Sequence, residues 1–162
     1  MKLIAVTHAH ILKMMSWFSS ASEISDWAGP DFTYPFDSKS FHADLKVSDI
    51  SSFSLLTDND QLLGFGQYYS RLGKCHLGRL VIAPNLRGQG ISAQLILRIA
   101  EHGMKTLQVD CCSLFVLQHN QTAIRAYQKL GFTITTYPQQ LPMHDCLYMV
   151  NKFTGLNYVS GD

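Results

Sequence analysis

The feature that most constrains this chain is a glycine-containing loop between an apolar strand and a helix. The sequence predicts the strand over residues 77–82 and a helix that begins at about Ile91, with R-G-Q-G at residues 87–90 between them. Glycines let backbone N–H groups approach an anion closely, and a helix N-terminus adds unpaired donors and a partial positive charge. Taken alone, the loop fits either a phosphate site or a tight turn that needs glycine for its backbone angles.

Composition predicts one ordinary domain and excludes several classes of partner. The chain has 162 residues, of which 46% are hydrophobic and 15% charged, enough for a packed core. A net charge of +1 provides no basic field for nucleic acid or for an anionic membrane. No apolar run approaches the roughly 20 residues of a membrane span, and the N-terminus lacks a signal-peptide pattern. We therefore expect a cytoplasmic protein that binds neither nucleic acid nor membrane.

Cysteine and histidine spacing predicts no metal site. None of the four cysteines forms a C-x-x-C pair, and we interpret them as small buried hydrophobes in a reducing compartment. The seven histidines are scattered without a neighbouring cluster of cysteines or carboxylates at metal-ligand spacing.

The order of elements predicts a mixed sheet. A first strand and short helices precede three strands that form an antiparallel meander, which ends at residue 82. The helix after the glycine loop is predicted to end at Gly103, with Met104 as the apolar partner of a left-handed cap. A strand over residues 107–117, a helix over 120–130 and two further strands follow. Because the strands on either side of the long helix are joined by a helical crossover, they should be parallel.

A second motif identifies a family. Residues 120–132 read N-Q-T-A-I-R-A-Y-Q-K-L-G-F. Together with R-G-Q-G-I-S at residues 87–92 and the order of elements, this segment resembles the GNAT superfamily of acyl-CoA-dependent N-acyltransferases. The resemblance extends over about residues 62–137, whereas residues 1–60 fit only in element order. One departure is Ser92, which stands where the family has glycine or alanine; its small hydroxyl still admits a phosphate.

The resemblance implies a fold and a co-substrate. It implies one α/β (α+β) domain over residues 1–153, followed by a C-terminal tail over 154–162. The sheet would be mixed and mostly antiparallel, with six to seven strands, helices on both faces, and parallel strands splayed at the cofactor site. The co-substrate implied is acetyl-CoA, which yields coenzyme A.

The resemblance also places the co-substrate on particular residues. The pyrophosphate would accept hydrogen bonds from backbone N–H groups of the glycine loop, while the Arg87 side chain either contacts phosphate or only braces the loop. The pantetheine arm would pair with the backbone of the preceding strand, near Asn120, which can also be a plain N-cap. The implied cofactor-binding residues are Leu80, Val81, Ile82, Arg87, Gly88, Gln89, Gly90, Ile91, Ser92, Asn120 and Tyr127.

Tyr127 matches the family's tyrosine near the thioester sulfur, which implies a general acid that protonates the departing CoA thiolate. A tyrosine suits that role because it stays protonated at neutral pH. A buried core tyrosine is the alternative. No motif identifies the base that deprotonates the incoming amine. His76 is one candidate because its ordinary pKa lies near neutrality, although it could be a plain sheet histidine; Glu23, Asp26 and Asp31 are others.

The resemblance implies that the acceptor is a primary amine of a small molecule or a peptide. We expect its pocket to come from residues 1–60 and the loop over 138–145. Trp27, Phe32 and Tyr34 belong to an aromatic stretch that either walls this pocket, favouring an apolar or cationic acceptor, or covers the core edge. The family also makes a homodimer an open prediction. The alternative function is a GNAT-like module that binds acyl-CoA without catalysis.

Overall fold

The structure, a computed structural model, describes residues 1–153. The predicted tail, residues 154–162, lies outside the described residues. The helices and strands are β1 Lys2–Ala5, α1 His8–Met15, α2 Ala21–Ala28, α3 Ser38–Leu45, β2 Ser51–Leu56, β3 Leu62–Arg71, β4 Lys74–Ile82, a 3-10 turn Pro84–Leu86, α4 Ile91–Leu107, β5 Cys112–Leu117, α5 Gln121–Lys129, β6 Thr133–Thr135 and β7 Cys146–Asn151.

The seven strands form one sheet in the order β1-β2-β3-β4-β5-β7-β6. Every pair is antiparallel except β4 with β5, so the predicted mixed and mostly antiparallel sheet is confirmed. The parallel pair is short: its register runs only from Cys75 opposite Cys112 to Leu77 opposite Leu114. Because both strands continue beyond that point without pairing, they splay apart as predicted and leave a gap in the sheet.

A β-bulge bends β4 where the gap begins. In the pairing with β3, Phe65 faces Val81 and Gln67 faces Gly78, so one residue of β3 lies opposite two residues of β4. Arg79, inside the bulge, has φ +48° in the left-handed region. An extra residue on one strand locally increases bend and twist, and it turns β4 away from β5.

Helices cover both faces of the sheet. Helices α4 and α5 share a hydrophobic core with one face, around Leu95, Ile99 and Ile124. Helices α1, α2 and α3 share a second core with the other face, around Phe41 and Leu45. Adjacent strand residues point to opposite faces, which is why a single strand contributes to both cores.

Helix α4 does not end where the sequence predicted. It continues through Gly103 to Leu107, and its left-handed cap is Gln108 at φ +55°. Gly103 is buried instead against the sheet, where an added Cβ would lie 2.9 Å from the Tyr68 ring and would collide with the Cys75 sulfur. Gly103 therefore serves close helix–sheet packing, and β5 begins five residues later than predicted.

All four cysteines are buried and free, as expected for small core hydrophobes. Within residues 1–153, no three histidine, cysteine or carboxylate side chains are grouped so that they could hold a metal ion. None of the helices described is both long and apolar enough to cross a membrane.

Candidate functional site

The gap between β4 and β5 opens into two adjoining cavities. The first, about 340 Å³, lies between the splayed strands and α2, and we call it the sheet cavity. The second, about 430 Å³, lies between the glycine loop, α4 and α5, and we call it the loop cavity. Both cavities are lined by Leu80, Ile82, Arg87, Asn120 and Tyr127. The arrangement suits one long ligand that enters through the loop cavity and a second ligand in the sheet cavity.

The glycine loop leaves the N-terminus of α4 without a side-chain cap. Gly88 and Gly90 both have φ +76°, which explains why glycine is needed at these two positions. No side chain accepts from the first turn of α4, whereas the other four described α-helices are capped by Thr7, Ser20, Asp37 and Asn120. The first N–H groups of α4 therefore remain available to an anion, and Gly88, Ile91 and Ser92 line the loop cavity beside them.

Two side chains of the loop fold back onto the backbone. Arg87 donates from Nε to the Ile82 carbonyl at 3.2 Å, which braces the turn, and the residue lines both cavities. Gln89 donates to the Asn85 carbonyl at 3.3 Å. The bracing role of Arg87 and a contact with phosphate are thus compatible, because the hydrogen bond to the loop uses only Nε and leaves both Nη groups as further donors.

The last residues of β4 present one unpaired edge. The pairing with β5 ends at Leu77, so the edge of residues 80–82 that faces the gap has no strand partner. Leu80 and Ile82 line both cavities, and Val81 lines the sheet cavity. Val81 and Ile82 are buried, as predicted for core side chains, while Leu80 is half-buried. An extended ligand could pair with these backbone groups as an added strand does.

Tyr127 lies where the two cavities meet. Helix α5 carries it, and Asn120 fixes the start of that helix by accepting from the Ala123 N–H at 3.3 Å. The ring packs edge-on against Phe132, with ring centroids 5.9 Å apart. Burial raises the pKa of Tyr127 to about 12, because the phenolate would lose hydration. The phenol is therefore a proton donor throughout the neutral range.

Two carboxylates of α2 line the sheet cavity. Glu23 is occupied as a local cap, since it accepts from the Ser19 N–H at 2.8 Å. Asp26 pairs with His119 of the loop before α5, with 3.2 Å between Oδ1 and Nε2. This contact joins α2 to the loop before α5. Asp31, the third acidic candidate, lines neither cavity.

His76 does not fit the role of a general base. Its side chain is 2% exposed, its Nδ1 shares a 2.8 Å hydrogen bond with Ser113 Oγ, and it lines neither cavity. Burial lowers the pKa of His76 to about 3, so the imidazole is neutral but a poor proton acceptor. Of the two interpretations that the sequence left open, the structure supports the plain sheet histidine.

The aromatic stretch mostly covers the core edge. Trp27 lines the sheet cavity, and within residues 1–153 its buried Nε1 has no hydrogen-bond partner. Phe32 is buried against Trp27 and Phe41, at 5.5 and 5.2 Å between ring centroids. Tyr34 is partly exposed and donates to the Ser19 carbonyl at 3.0 Å. Phe32 and Tyr34 are therefore structural, and only Trp27 of the three predicted residues walls a cavity.

Sequence reasoning missed several residues of the sheet cavity, and the two with side chains suited to ligand binding are Arg79 and Phe115. Arg79 lies in the bulge, where it donates to the Asp44 and Leu45 carbonyls at 2.9 and 3.2 Å and so fastens the end of α3 to the sheet. Phe115 of β5 also lines the cavity. A charged residue between apolar ones was a usable signal for Arg79, but Phe115 had none. The loop over residues 138–145, expected to contribute, lines neither cavity.

Comparison with known proteins gives consistent results. A model of the acetyltransferase (GNAT) family matches residues 21–132. The peptidyl-lysine N-acetyltransferase YjaB of Salmonella typhimurium is 34% identical over 111 residues, which cover 65% of this chain and 70% of that protein.

Solved structures share the fold at low identity. The spermidine N-acetyltransferase from Vibrio cholerae, in complex with CoA and spermine, has a TM-score of 0.71 and 16% identity, with 93% of this chain and 94% of that chain covered. The ribosomal-protein-alanine N-acetyltransferase from Brucella melitensis has a TM-score of 0.66 and 15% identity, with 94% and 99% covered. The family match spans well over half of the sequence. This chain therefore belongs to the acetyltransferase (GNAT) family and is an N-acetyltransferase with acetyl-CoA as co-substrate.

Proposed function

We propose that this enzyme transfers the acetyl group directly from acetyl-CoA to a primary amine, with Tyr127 as the general acid. The observation that carries the proposal is the position of Tyr127 at the junction of the loop cavity and the sheet cavity. A thioester at that junction would have its CoA portion on one side and its attacking amine on the other.

The loop cavity is the proposed site of the CoA portion. The pyrophosphate accepts from N–H groups of residues 88–92, where α4 has no cap of its own. Arg87 adds positive charge from its Nη groups, and the Ser92 hydroxyl can donate to a phosphate oxygen. The pantetheine arm runs along the unpaired edge of residues 80–82, near Asn120.

The chemistry follows from the two groups that face the junction. The neutral amine nitrogen attacks the thioester carbonyl carbon, and a C–N bond forms in a tetrahedral intermediate. As the intermediate collapses, the C–S bond breaks and the sulfur takes the proton of the Tyr127 hydroxyl; the tyrosinate then regains a proton from solvent. The raised pKa of Tyr127 keeps this proton in place until charge develops on sulfur.

Asp26 and His119 are the proposed acceptors of the amine's proton. An alkylammonium must lose a proton before it can attack, and of the two carboxylates in the sheet cavity Glu23 is already engaged by Ser19. Among the described residues the Asp26 carboxylate has a polar contact only with His119, and the side chains of Asp26 and His119 are about half exposed, at 48% and 57%. A water on this pair would carry the proton away from the amine toward solvent.

The acceptor is proposed to be a primary amine on a small molecule or a peptide. Relatives named for spermidine and for peptidyl-lysine both act on such amines. An ammonium group in the sheet cavity would be favoured by the carboxylates of Glu23 and Asp26 and by the Trp27 ring. A cytoplasmic location and a homodimer stay predictions from the sequence.

Titration calorimetry with acetyl-CoA, followed by a thiol-release assay over polyamines, amino acids and lysine peptides, tests the proposal. We expect saturable binding of acetyl-CoA and thiol release that depends on an amine. Failure to bind acetyl-CoA would refute the loop-cavity assignment. Tight binding without thiol release for any amine would favour the non-catalytic acyl-CoA-binding alternative.

A further inference from the structure

A guanidinium is held among aromatic rings on the sheet face next to the sheet cavity. Arg71 donates from Nη1 to the Tyr137 hydroxyl and from Nη2 to the Tyr69 hydroxyl, both at 3.0 Å. Its Cζ lies 5.0 Å from the Phe115 ring centroid and 5.4 Å from that of Tyr69. The Tyr148 ring packs against Tyr137 at 4.9 Å between centroids. We call these five residues the Arg71 cluster.

The cluster carries a positive charge that no acidic side chain pairs with in the part of the chain that the structure describes. Within residues 1–153, the contacts between basic and acidic groups join Met1 with Asp58, Lys2 with Asp60, and His119 with Asp26, and none involves Arg71. Phenols and rings fix the guanidinium but do not neutralise it. A fixed cation without an acidic neighbour attracts an anion from outside the chain.

The same cluster has unused hydrogen-bond donors. The hydroxyls of Tyr69 and Tyr137 accept from Arg71, and among the described residues neither hydroxyl donates to an acceptor. Tyr148 is 4% exposed, and among the described residues its buried hydroxyl has no partner; the buried Nε of Arg71 has none either. Buried polar groups are nearly always satisfied, so donors left open together point to a ligand that accepts.

Phe115 connects the cluster to the sheet cavity. It lines that cavity, and its ring also contacts the Arg71 guanidinium and the ring of its cross-strand neighbour Tyr148 at 5.7 Å. Phe115 is thus the residue shared by the sheet cavity and the Arg71 cluster. On the opposite wall, Glu23 and Asp26 present negative charge.

We propose that the Arg71 cluster binds a carboxylate of the acceptor, so that the acceptor is an amine that also carries a carboxylate, such as an amino acid or a short peptide. The inference rests on the proposed function, because it takes the sheet cavity as the acceptor site. A guanidinium flanked by phenol donors matches a planar carboxylate, and the charges across the cavity match a zwitterion. A polyamine, which is cationic along its length, would be repelled by Arg71.

The test compares acceptors that differ only in whether they carry a carboxylate or its amide. Amino acids and dipeptides, each as the free carboxylate and as the C-terminal amide, are titrated into the CoA-loaded protein. We expect the carboxylate forms to bind roughly 10- to 100-fold more tightly than the amides. The substitution Arg71→Gln should abolish that ratio and leave the affinity for the amides unchanged.

Two further variants separate recognition from structure. Tyr148→Phe should reduce the carboxylate-to-amide ratio roughly 2- to 10-fold without loss of thermal stability, because the hydroxyl it removes has no partner among residues 1–153. Arg125→Gln, at an exposed position of α5, should leave the ratio unchanged. The proposal is overturned if the unsubstituted enzyme binds carboxylate and amide forms equally well, or if it binds neither. It is also overturned if the carboxylate-to-amide ratio persists in Arg71→Gln. Absence of thiol release with an intact ratio refutes the catalytic proposal instead.

Discussion

The units β4–loop–α4 and β5–loop–α5 lie side by side in the molecule, and they differ in whether a side chain caps the N-terminus of the helix. Both begin as parallel strands, joined through Leu77 and Leu114, and both end in helices that border the loop cavity. The first loop has glycine at the cap position and no side-chain partner for the helix donors. The second has Asn120, whose side chain accepts from the helix.

This difference suggests separate functions for the two helices, catalysis for α5 and acetyl-CoA binding for α4. A capped helix needs no ligand to satisfy its first backbone donors, and α5 holds the Tyr127 side chain at the junction of the cavities. An uncapped helix leaves backbone donors that an anionic ligand can satisfy, and we propose that α4 contributes these donors to the pyrophosphate. We therefore expect substitutions in the α5 unit to change turnover, and substitutions at the start of α4 to change the affinity for acetyl-CoA.

The largest expected effect is that of Tyr127→Phe. Loss of a general acid typically costs about 10²- to 10⁴-fold in rate, and the phenyl ring keeps the packing against Phe132. Steady-state thiol release should show this loss in kcat, while calorimetry should show an unchanged dissociation constant for acetyl-CoA. A variant with normal kcat would remove Tyr127 from the mechanism. A variant with weakened acetyl-CoA binding would contradict the expectation that α5 affects turnover and α4 affects acetyl-CoA affinity.

The same residue predicts the basic side of the pH–rate profile. Because burial raises the pKa of Tyr127 to about 12, the acid stays protonated from neutral pH to about pH 10. The rate under saturating substrate should therefore show no decline from Tyr127 ionisation over that range. A decline with an apparent pKa near 10 that disappears in Tyr127→Phe would contradict the buried environment.

The next effect is that of Ser92→Asp, with Ser22→Asp as its matched control. Both serines occupy the second position of a helix, but α2 is capped by Ser20 and lies outside the glycine loop. A carboxylate in a first turn favours either helix through the macrodipole, so neither variant should lose thermal stability. At Ser92 the charge also repels pyrophosphate, and we expect acetyl-CoA to bind roughly 10- to 100-fold more weakly.

Ser22→Asp should leave acetyl-CoA affinity unchanged. Equal weakening in both variants would mean that net charge, rather than the open N-terminus of α4, controls binding. No weakening in Ser92→Asp would place the pyrophosphate elsewhere.

The features that the sequence predicted correctly are local ones. The glycine pattern at residues 87–90 predicted a strand, a turn and a helix start, and the left-handed φ of Gly88 and Gly90 gives the physical reason. Asn120 was predicted as a possible helix cap from residue type and position alone, and its side chain accepts from the Ala123 N–H of α5. Such features depend on a few neighbouring residues, so no knowledge of the sheet was needed.

The features that were missed depend on which strand lies beside which residue. A glycine followed by a hydrophobe is equally typical of a helix end and of close packing, and only contact with β3 and β4 shows that Gly103 serves the second purpose. The burial of His76 follows from its neighbours Tyr69 and Phe115, which lie on other strands. The Arg71 cluster likewise joins residues from distant parts of the chain.

A smaller effect concerns the pH dependence of stability. Where β4 and β5 still pair, the side chains of His76 and Ser113 share a hydrogen bond. The pKa of His76 is about 3 in the folded protein and about 6.5 when unfolded. Between about pH 6.5 and pH 3, His76 is therefore protonated in the unfolded chain and neutral in the folded chain. The free energy of unfolding should therefore fall as pH drops from about 6.5 toward about 3, with a slope approaching about 1.4 kcal/mol per pH unit.

Urea unfolding at pH 7.5, 6.5, 5.5 and 4.5 measures this slope. His76→Gln should be less stable at pH 7.5, because it loses the aromatic contacts, but its slope in the acid range should be shallower by one proton. An unchanged slope in His76→Gln would assign the acid sensitivity to other groups. Acetyl-CoA affinity at pH 7.5 should be nearly unchanged, because His76 lines neither cavity.

The smallest effect tests the capped helix directly. Asn120→Ala removes the acceptor of the Ala123 N–H and should lower the free energy of unfolding by about 1 kcal/mol, whereas Asn120→Asp keeps an acceptor and should retain stability. Acetyl-CoA should raise the melting temperature of the unsubstituted enzyme and of Asn120→Ala by similar amounts, because the donors that it satisfies belong to α4 and not to α5. If saturating acetyl-CoA instead abolished the difference between the two proteins, the ligand would be replacing the cap of α5, and the pyrophosphate would bind at the helix that we assign to catalysis.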